Sequence, residues 1–332
     1  MTSLTGFAGA LPDAHGRPPG LPLRALALGA AWLALAAATY ALPEDGDFPT
    51  TAAFAAGALG LSLVLPLLVA RSAHLGRAGA SLAHWTPWLT LLALALTAWE
   101  LITAKFALLP MPFFPPPQAI LEVFLEDWPR LGGSILASLK LLAGGYLIGA
   151  GLGFVLGVAI GWSKAVGYWA HPILRFVGPL PATAWLPMAF FVFPSSWSAS
   201  TFLIALATGF PVTVLTWSGV AGVNKAYFDV ARTLGASPAF LVLRVAVPAA
   251  LPHVFVGLFM GLGGAFAVLV VAEMLGVKSG LGWYLQWAQG WAAYANMYAA
   301  LIVMALMCSG LITLLFRLRD RVLSWQKGLV QW

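Results

Sequence analysis

The stretch Gly222-Val223-Asn224-Lys225-Ala226-Tyr227-Phe228-Asp229-Val230-Ala231-Arg232-Thr233-Leu234-Gly235-Ala236-Ser237-Pro238 is too polar to cross a bilayer. It lies between two runs, 200–221 and 246–274, that are apolar enough to do so. Asn224 is a good helix N-cap. Tyr227, Val230, Ala231 and Leu234 fall at i, i+3, i+4 and i+7, which predicts one apolar helical face. Gly235 suits the left-handed residue that ends a helix, and Ser237-Pro238 suits the cap and first residue of the next. The pattern predicts a short helix, about 224–236, held at the membrane surface between two spans. Its protruding face is of the kind that enters a groove on a partner protein.

Working outward, the whole chain has the composition that such flanking runs demand. Of its 332 residues 61% are hydrophobic and 8% charged, and the mean hydropathy is +0.90. A soluble domain carries roughly 25% charged residues, so too few charges exist here to solvate a globular surface. A single cysteine, Cys308, excludes a disulfide scaffold. The net charge of +6 is spread singly between apolar runs rather than gathered on one face, which argues against nucleic acid as a partner. The chain reads as an all-α integral membrane protein in contact with lipid. Residues 1–20 are Gly- and Pro-rich, and the apolar run after them is too long for the core of a secretory signal.

A spanning helix needs about 20 predominantly apolar residues. Eight segments qualify, at about 22–42, 50–70, 86–106, 135–161, 170–193, 200–221, 246–274 and 297–316. The weakest is 170–193, interrupted by Pro172, Pro179, Pro181 and Pro187. With the N-terminus inside and eight crossings, the inner face receives Arg17, Arg24, Arg71, Arg77, Lys164, Arg175, Lys225, Arg232, Arg244, Arg317, Arg319, Arg321 and Lys327, thirteen of the 17 basic residues. Lys105, Arg130, Lys140 and Lys278 go to the outer face or outer half, while only Asp13, Asp229 and Asp320 among the acids fall inside. That asymmetry predicts both termini in the cytoplasm. Leu109–Pro117 is too proline-rich to be helical, and Ile120, Val123 and Phe124 after it predict an amphipathic helix on the outer surface.

Asp229-Val230-Ala231, three residues, Gly235, nine residues and then Val245-Ala246-Val247-Pro248 resemble the EAA loop of ABC importer permeases, whose usual form is Glu-Ala-Ala-x3-Gly-x9-Ile-x-Leu-Pro. Pro248–Pro252, Val270–Leu275, Leu109–Pro112 with Pro115–Pro117, and Gly280-Leu281-Gly282 are similar to the nitrate/sulfonate/taurine branch. The resemblance covers about residues 85–325. It implies a six-helix type I (MetI-like) importer core, preceded at 1–80 by a tail and two added transmembrane helices. It further implies a coupling helix, Asp229, Val230, Ala231, Arg232, Thr233, Leu234 and Gly235, docked in a cytoplasmic ATPase. Two ATPase copies using ATP and Mg, a second permease copy, and an extracytoplasmic substrate-binding protein would complete a bacterial inner-membrane system working by alternating access. The permease itself would be no enzyme and would hold no cofactor. The implied cargo is a sulfonate, taurine, nitrate or similar small solute. Aspartate stands where the family has glutamate, and Val230 where it has alanine. After the fifth span the chain has Phe193-Pro194-Ser195-Ser196-Trp197-Ser198 instead of the branch's Phe-Gly-x-Gly turn.

Other residues admit two readings each. Gly145, Gly149, Gly153, Gly157 and Gly161, with Gly257 and Gly261 later, give side-chain-free helix faces for close packing or for sliding between transport states. Glu273 is a gate candidate or an interfacial carboxylate paired with Lys278 or water. Lys140 attracts an anion or snorkels outward. Trp185 and Trp217 line a path or belong to the interfacial belt, where Trp283, Trp287 and Trp291 are better placed. The rival function is a secondary transporter or channel without an ATPase, whose mark would be paired internal repeats with broken helices. An intramembrane enzyme lacks support: the five histidines are scattered, and no metal cluster or P-loop is present in the sequence.

Overall fold

The computed structural model describes residues 21–326 apart from Asp45 and Leu75. Arg17, Asp13 and Lys327 of the charge pattern, and the tail 1–20, lie outside the described residues. The described chain is helical, with α1 (Leu21–Ala41), α2 (Thr51–Ala70), α3 (Gly76–Glu100), α4 (Pro117–Glu126), α5 (Trp128–Trp162), α6 (Lys164–Val177), α7 (Leu186–Val192), α8 (Ser196–Ala221), α9 (Lys225–Thr233), the single turn α10 (Pro238–Phe240), α11 (Val247–Leu275), α12 (Leu281–Gly290) and α13 (Tyr294–Val322). Among the described residues, seven helices are long and apolar enough to cross a membrane, or eight if one sharply bent pair counts as a span. Two compact units divide the chain. One runs to Trp128 and includes Ala292–Ala299; the other holds Pro129–Trp291 and the chain from Ala300.

In the first unit α1 buries Leu28, Trp32 and Leu35 against α2 and α3, and α4 buries Ile120 and Val123 beside Trp99 and Ala299. The α4 pattern follows the expected amphipathic helix. Lys105 is drawn into the protein. Its side chain is 1% exposed, and Nζ donates to the Thr39 and Leu42 carbonyls at 2.7 and 3.1 Å and to Glu44 Oε1 at 3.0 Å. The π-helical turn Leu101–Lys105 at the end of α3 carries this ammonium to the last carbonyls of α1, where a cation also meets the negative end of the helix dipole. Glu100, fully buried, lies 3.7 Å from the same ammonium and accepts from Gln118 Nε2 at 3.2 Å. The two N-terminal helices are therefore fastened to α3 by a buried ionic knot as well as by apolar packing.

In the second unit α8 is the central element. The glycines of α5 lie against its backbone: a Cβ on Gly149 would collide with the Ala205 carbonyl and come within 2.8 Å of Thr208 Cβ, and one on Gly157 would sit 2.7 Å from the Thr213 carbonyl. On the other side Gly257 and Gly261 of α11 bring that helix to Val212 and Thr208 of α8. Leu203, Ile204, Leu262, Ala265 and Leu269 fill the space between.

The expected span 170–193 is built from two helices, α6 and a segment from Ala182 to Val192, bent by 85°. Pro179 and Pro181 remove the donors on either side of Leu180 at the break, whereas Pro172 is tolerated inside α6 and Pro187 occupies the first turn of α7. The seventh span begins earlier than expected. Leu241–Ala246 is π-helical and joins α10 to α11 without interruption. That widened turn precedes Pro248, whose ring and missing N–H disturb the usual ladder.

Two predictions follow from these contacts. Gly149→Ala lowers the thermal midpoint of the detergent-purified protein by an overpacking penalty of about 1–3 kcal/mol. Gly144→Ala, where an added methyl meets nothing within 4 Å, leaves the midpoint unchanged or raises it, because alanine is the better helix former. Lys105→Met strands Glu44 and Glu100 and costs about 3–5 kcal/mol, read in the same melt, with Lys278→Met at an exposed site as the neutral comparison.

Candidate functional site: the surface helix α9 and the Glu273 cradle

The loop after α8 folds by local rules. Asn224 Oδ1 accepts from the Ala226 amide at 3.0 Å and starts α9. Gly235 ends it with φ +80°, and the amides of Ala236 and Gly235 return to the carbonyls of Ala231 and Arg232 at 3.0 and 2.9 Å. Those two bonds make a Schellman motif, which gives the last carbonyls partners. Ser237 then caps α10, its Oγ accepting from the Phe240 amide at 3.3 Å.

The stripe expected on α9, Tyr227, Val230, Ala231 and Leu234, stays on one side of the helix, and the helix is held by Phe228, which lies outside that stripe. Phe228 turns inward to Val220, Ala246 and Ala250, with its ring 5.9 Å from that of Trp162. Tyr227, Val230 and Leu234 face outward and are 61%, 61% and 83% exposed. Ala231 is half-buried beside them, and Thr233 donates back to the Val230 carbonyl at 2.8 Å. Asp229 and Arg232 form an exposed i,i+3 ion pair at 3.3 Å on the same surface. The outcome is a capped nine-residue helix fixed by one aromatic anchor and presenting three large apolar side chains bordered by charge.

At the other end of α11, Glu273 is 1% exposed. Ser138 Oγ of α5 lies 2.7 and 2.9 Å from its two oxygens, and the Gly282 amide donates to Oε2 at 2.8 Å. Ser138 Oγ in turn accepts from the Leu281 amide at 2.8 Å. The carboxylate thereby joins α11, α5 and the first turn of α12, and its neighbour in sequence, Lys278, is exposed rather than paired with it. The glycines on either side of Leu281 make room. Gly280 has φ +105°, and a Cβ there would collide with the Glu273 carboxylate; one on Gly282 would lie 2.8 Å from Glu273 Cβ.

The remaining candidates are not gathered around Glu273. Lys140 is exposed on α5. Trp217 packs on His171 with ring centroids 4.4 Å apart. Trp185 packs against the core of the second unit, its Nε1 buried without an acceptor. Among the described residues no group of acidic, histidine and cysteine side chains is placed to hold a metal. Ser138 escapes a reading confined to charges and glycines. Its signal is the register: Ser134 and Ser138 are buried on the stripe that continues as Gly145 and Gly149.

Comparison with known proteins gives the chain a family. Residues 149–326 match the family described as the inner membrane component of binding-protein-dependent transport systems. The chain is 32% identical over 237 residues to a probable ABC transporter permease of Brucella abortus, covering 71% of this chain and 93% of that one. It is 30% identical over 246 residues to a putative aliphatic sulfonates transport permease of Bacillus subtilis, covering 74% and 89%. It is 29% identical over 261 residues to a nitrate import permease of Synechococcus elongatus, covering 75% and 91%. The chain belongs to the family of binding-protein-dependent transport system inner membrane components. It is a permease subunit of an ABC importer, a multi-pass protein of the inner membrane.

The cradle yields a prediction. Glu273→Ala leaves the Gly282 amide without its acceptor at a penalty of about 1–3 kcal/mol, so hydrogen exchange at the Leu281 and Gly282 amides accelerates. Gly280→Ala gives the same signature through steric displacement of the intact carboxylate.

Proposed function

We propose that this permease is driven by a separate cytoplasmic ATPase through α9, and that two copies of the chain and two of the ATPase form the working importer. The observation that carries the reading is the exposed triad Tyr227, Val230 and Leu234 on a helix capped at both ends and anchored by Phe228. Three large apolar side chains on a short surface helix fit a groove on a soluble partner, and the Asp229–Arg232 pair at their border supplies orientation. ATP and Mg act in the partner, and this chain supplies no cofactor site. A binding protein on the outer face delivers the cargo.

In this reading Glu273 is a positioning residue that latches α12 to α11 and α5, and its release accompanies opening of the outer side. The glycine seams of α5 and α11 permit the small relative movements between states. With α9 in the cytoplasm, α11 leads outward and α13 returns, so the C-terminus is cytoplasmic. Keeping Lys164, Arg71 and Arg24 inside requires α6 and α7 to cross together as one bent span, which places the N-terminus inside as well. Relatives are named for aliphatic sulfonates, nitrate and bicarbonate, and the cargo proposed here is a small solute of that range.

The test is purification of the tagged chain from its native membrane, with stoichiometric mass spectrometry of what co-elutes. One ATPase per permease is expected; a clean oligomer without ATPase, in mild detergent at low and high salt, overturns the reading. Asp229→Lys sharpens it. An exposed ion pair contributes about 0–1 kcal/mol to stability, so the variant inserts and folds normally. Uptake is expected to fall to background while the ATPase still hydrolyses ATP. Unchanged uptake removes Asp229 from the coupling mechanism.

A further inference from the structure

Glu44, Glu100, Lys105 and Gln118 meet inside the first unit, and all four precede the family-matched residues 149–326. The importer reading gives them no role. Their hydrogen bonds can be followed atom by atom. An ammonium has three donors, and Lys105 directs them to the Thr39 carbonyl at 2.7 Å, the Leu42 carbonyl at 3.1 Å and Glu44 Oε1 at 3.0 Å. Glu44 Oε2 accepts from the Thr51 hydroxyl at 3.0 Å, so both oxygens of that carboxylate are served.

Glu100 is left with less. Its Oε1 lies 3.7 Å from the Lys105 ammonium, beyond hydrogen-bond reach, and accepts from Gln118 Nε2 at 3.2 Å. Its Oε2 has no partner, and neither has Gln118 Oε1. Both residues are 0% exposed. Two acceptors are thus shut away from water on side chains already joined by one hydrogen bond. Exchanging the oxygen and nitrogen of the Gln118 amide only moves the deficit, because an oxygen would then face Glu100 Oε1. The charges are uneven as well. Lys105 and Glu44 are the charged groups that bear on Glu100 among the described residues, and they balance each other as a hydrogen-bonded pair. A carboxylate at residue 100 would be a second buried negative charge with a single hydrogen bond, and its desolvation would go uncompensated.

One proton removes both deficits. A carboxylic acid and a primary amide are complementary: the acid carbonyl accepts from the amide N–H, and the amide carbonyl accepts from the acid O–H. The geometry points to Glu100 as a buried proton-binding site, a neutral acid whose Oε2 hydroxyl donates to Gln118 Oε1 while Gln118 Nε2 donates to Oε1. The proton comes from water, and Glu44, with 18% of its side chain exposed, is the member of the cluster that water reaches. Gln118 is a positioning residue. Its own carbonyl accepts from the Thr50 hydroxyl at 2.7 Å, which ties the first turn of α4 to the start of α2 and fixes where the amide stands. The cluster therefore divides into two neutral pairs. Lys105 with Glu44 fastens α3 to the end of α1, and protonated Glu100 with Gln118 fastens α3 to α4.

Infrared spectroscopy of the intact, detergent-purified protein reads the proton directly. The difference between wild type and Glu100→Gln at neutral pH is expected to show the loss of a carboxylic-acid carbonyl band. Gln118→Leu is expected to move that band to higher frequency by removing its hydrogen bond. Loss of a carboxylate band in its place overturns the site. The thermal midpoint gives a separate reading. Glu100→Gln puts in an amide that keeps both bonds to Gln118, so the midpoint is expected to stay at or above the wild-type value. A fall as large as that of Lys105→Met marks Glu100 as a charged counter-ion and overturns the site. So does a wild-type midpoint that climbs in sodium chloride and stays level in choline chloride, since a metal ion would then occupy the two free acceptors.

Discussion

Backbone contact along α8 is the constraint on which the second unit depends. Lipid tails are as apolar as leucine side chains, so helices in a bilayer gain little by hiding leucine from lipid and associate through close van der Waals packing. The glycines of α5 and α11 allow that approach from two sides, with Ala205, Thr208 and Val212 of α8 in direct contact with positions that lack a side chain. Once α5 and α11 are held this way, Ser138 on one meets Glu273 on the other, and the carboxylate receives the hydrogen bonds that make its burial tolerable. The polar latch is thus a consequence of the apolar seam.

α11 connects the surface helix to the Glu273 cradle. Its first turns receive Phe228 from the surface helix, and its last turn carries Glu273. At 1.5 Å per residue its 29 residues span about 43 Å, and the π-helical turn that precedes Pro248 is where its geometry departs from the regular ladder. A displacement of α9 by a partner would therefore enter α11 at its base through an aromatic contact. The segment Ala182–Val192 also packs on α8, after the 85° bend that follows α6.

Much of this was legible in one dimension because the rules involved are local. Apolar run lengths determined the number of spans, since the hydrocarbon has a fixed thickness. Asn224, Gly235 and Ser237-Pro238 determined where the surface helices begin and end, since caps use backbone groups within a few residues. The four-residue glycine spacing marked a face for packing without saying which helix would occupy it. Tertiary structure alone decided the rest. It turned Phe228 inward and left Tyr227, Val230 and Leu234 outside, although all four lie within two helical turns. It buried Lys105, expected only at the outer face or outer half of the membrane, in a knot with Glu44 and Glu100, residues up to 61 positions away. It paired Glu273 with Ser138 across 135 positions instead of with nearby Lys278. Caps and span lengths depend on neighbours along the chain and are written there. The partner of a buried charge depends on which helix surfaces meet, and only the folded chain determines that.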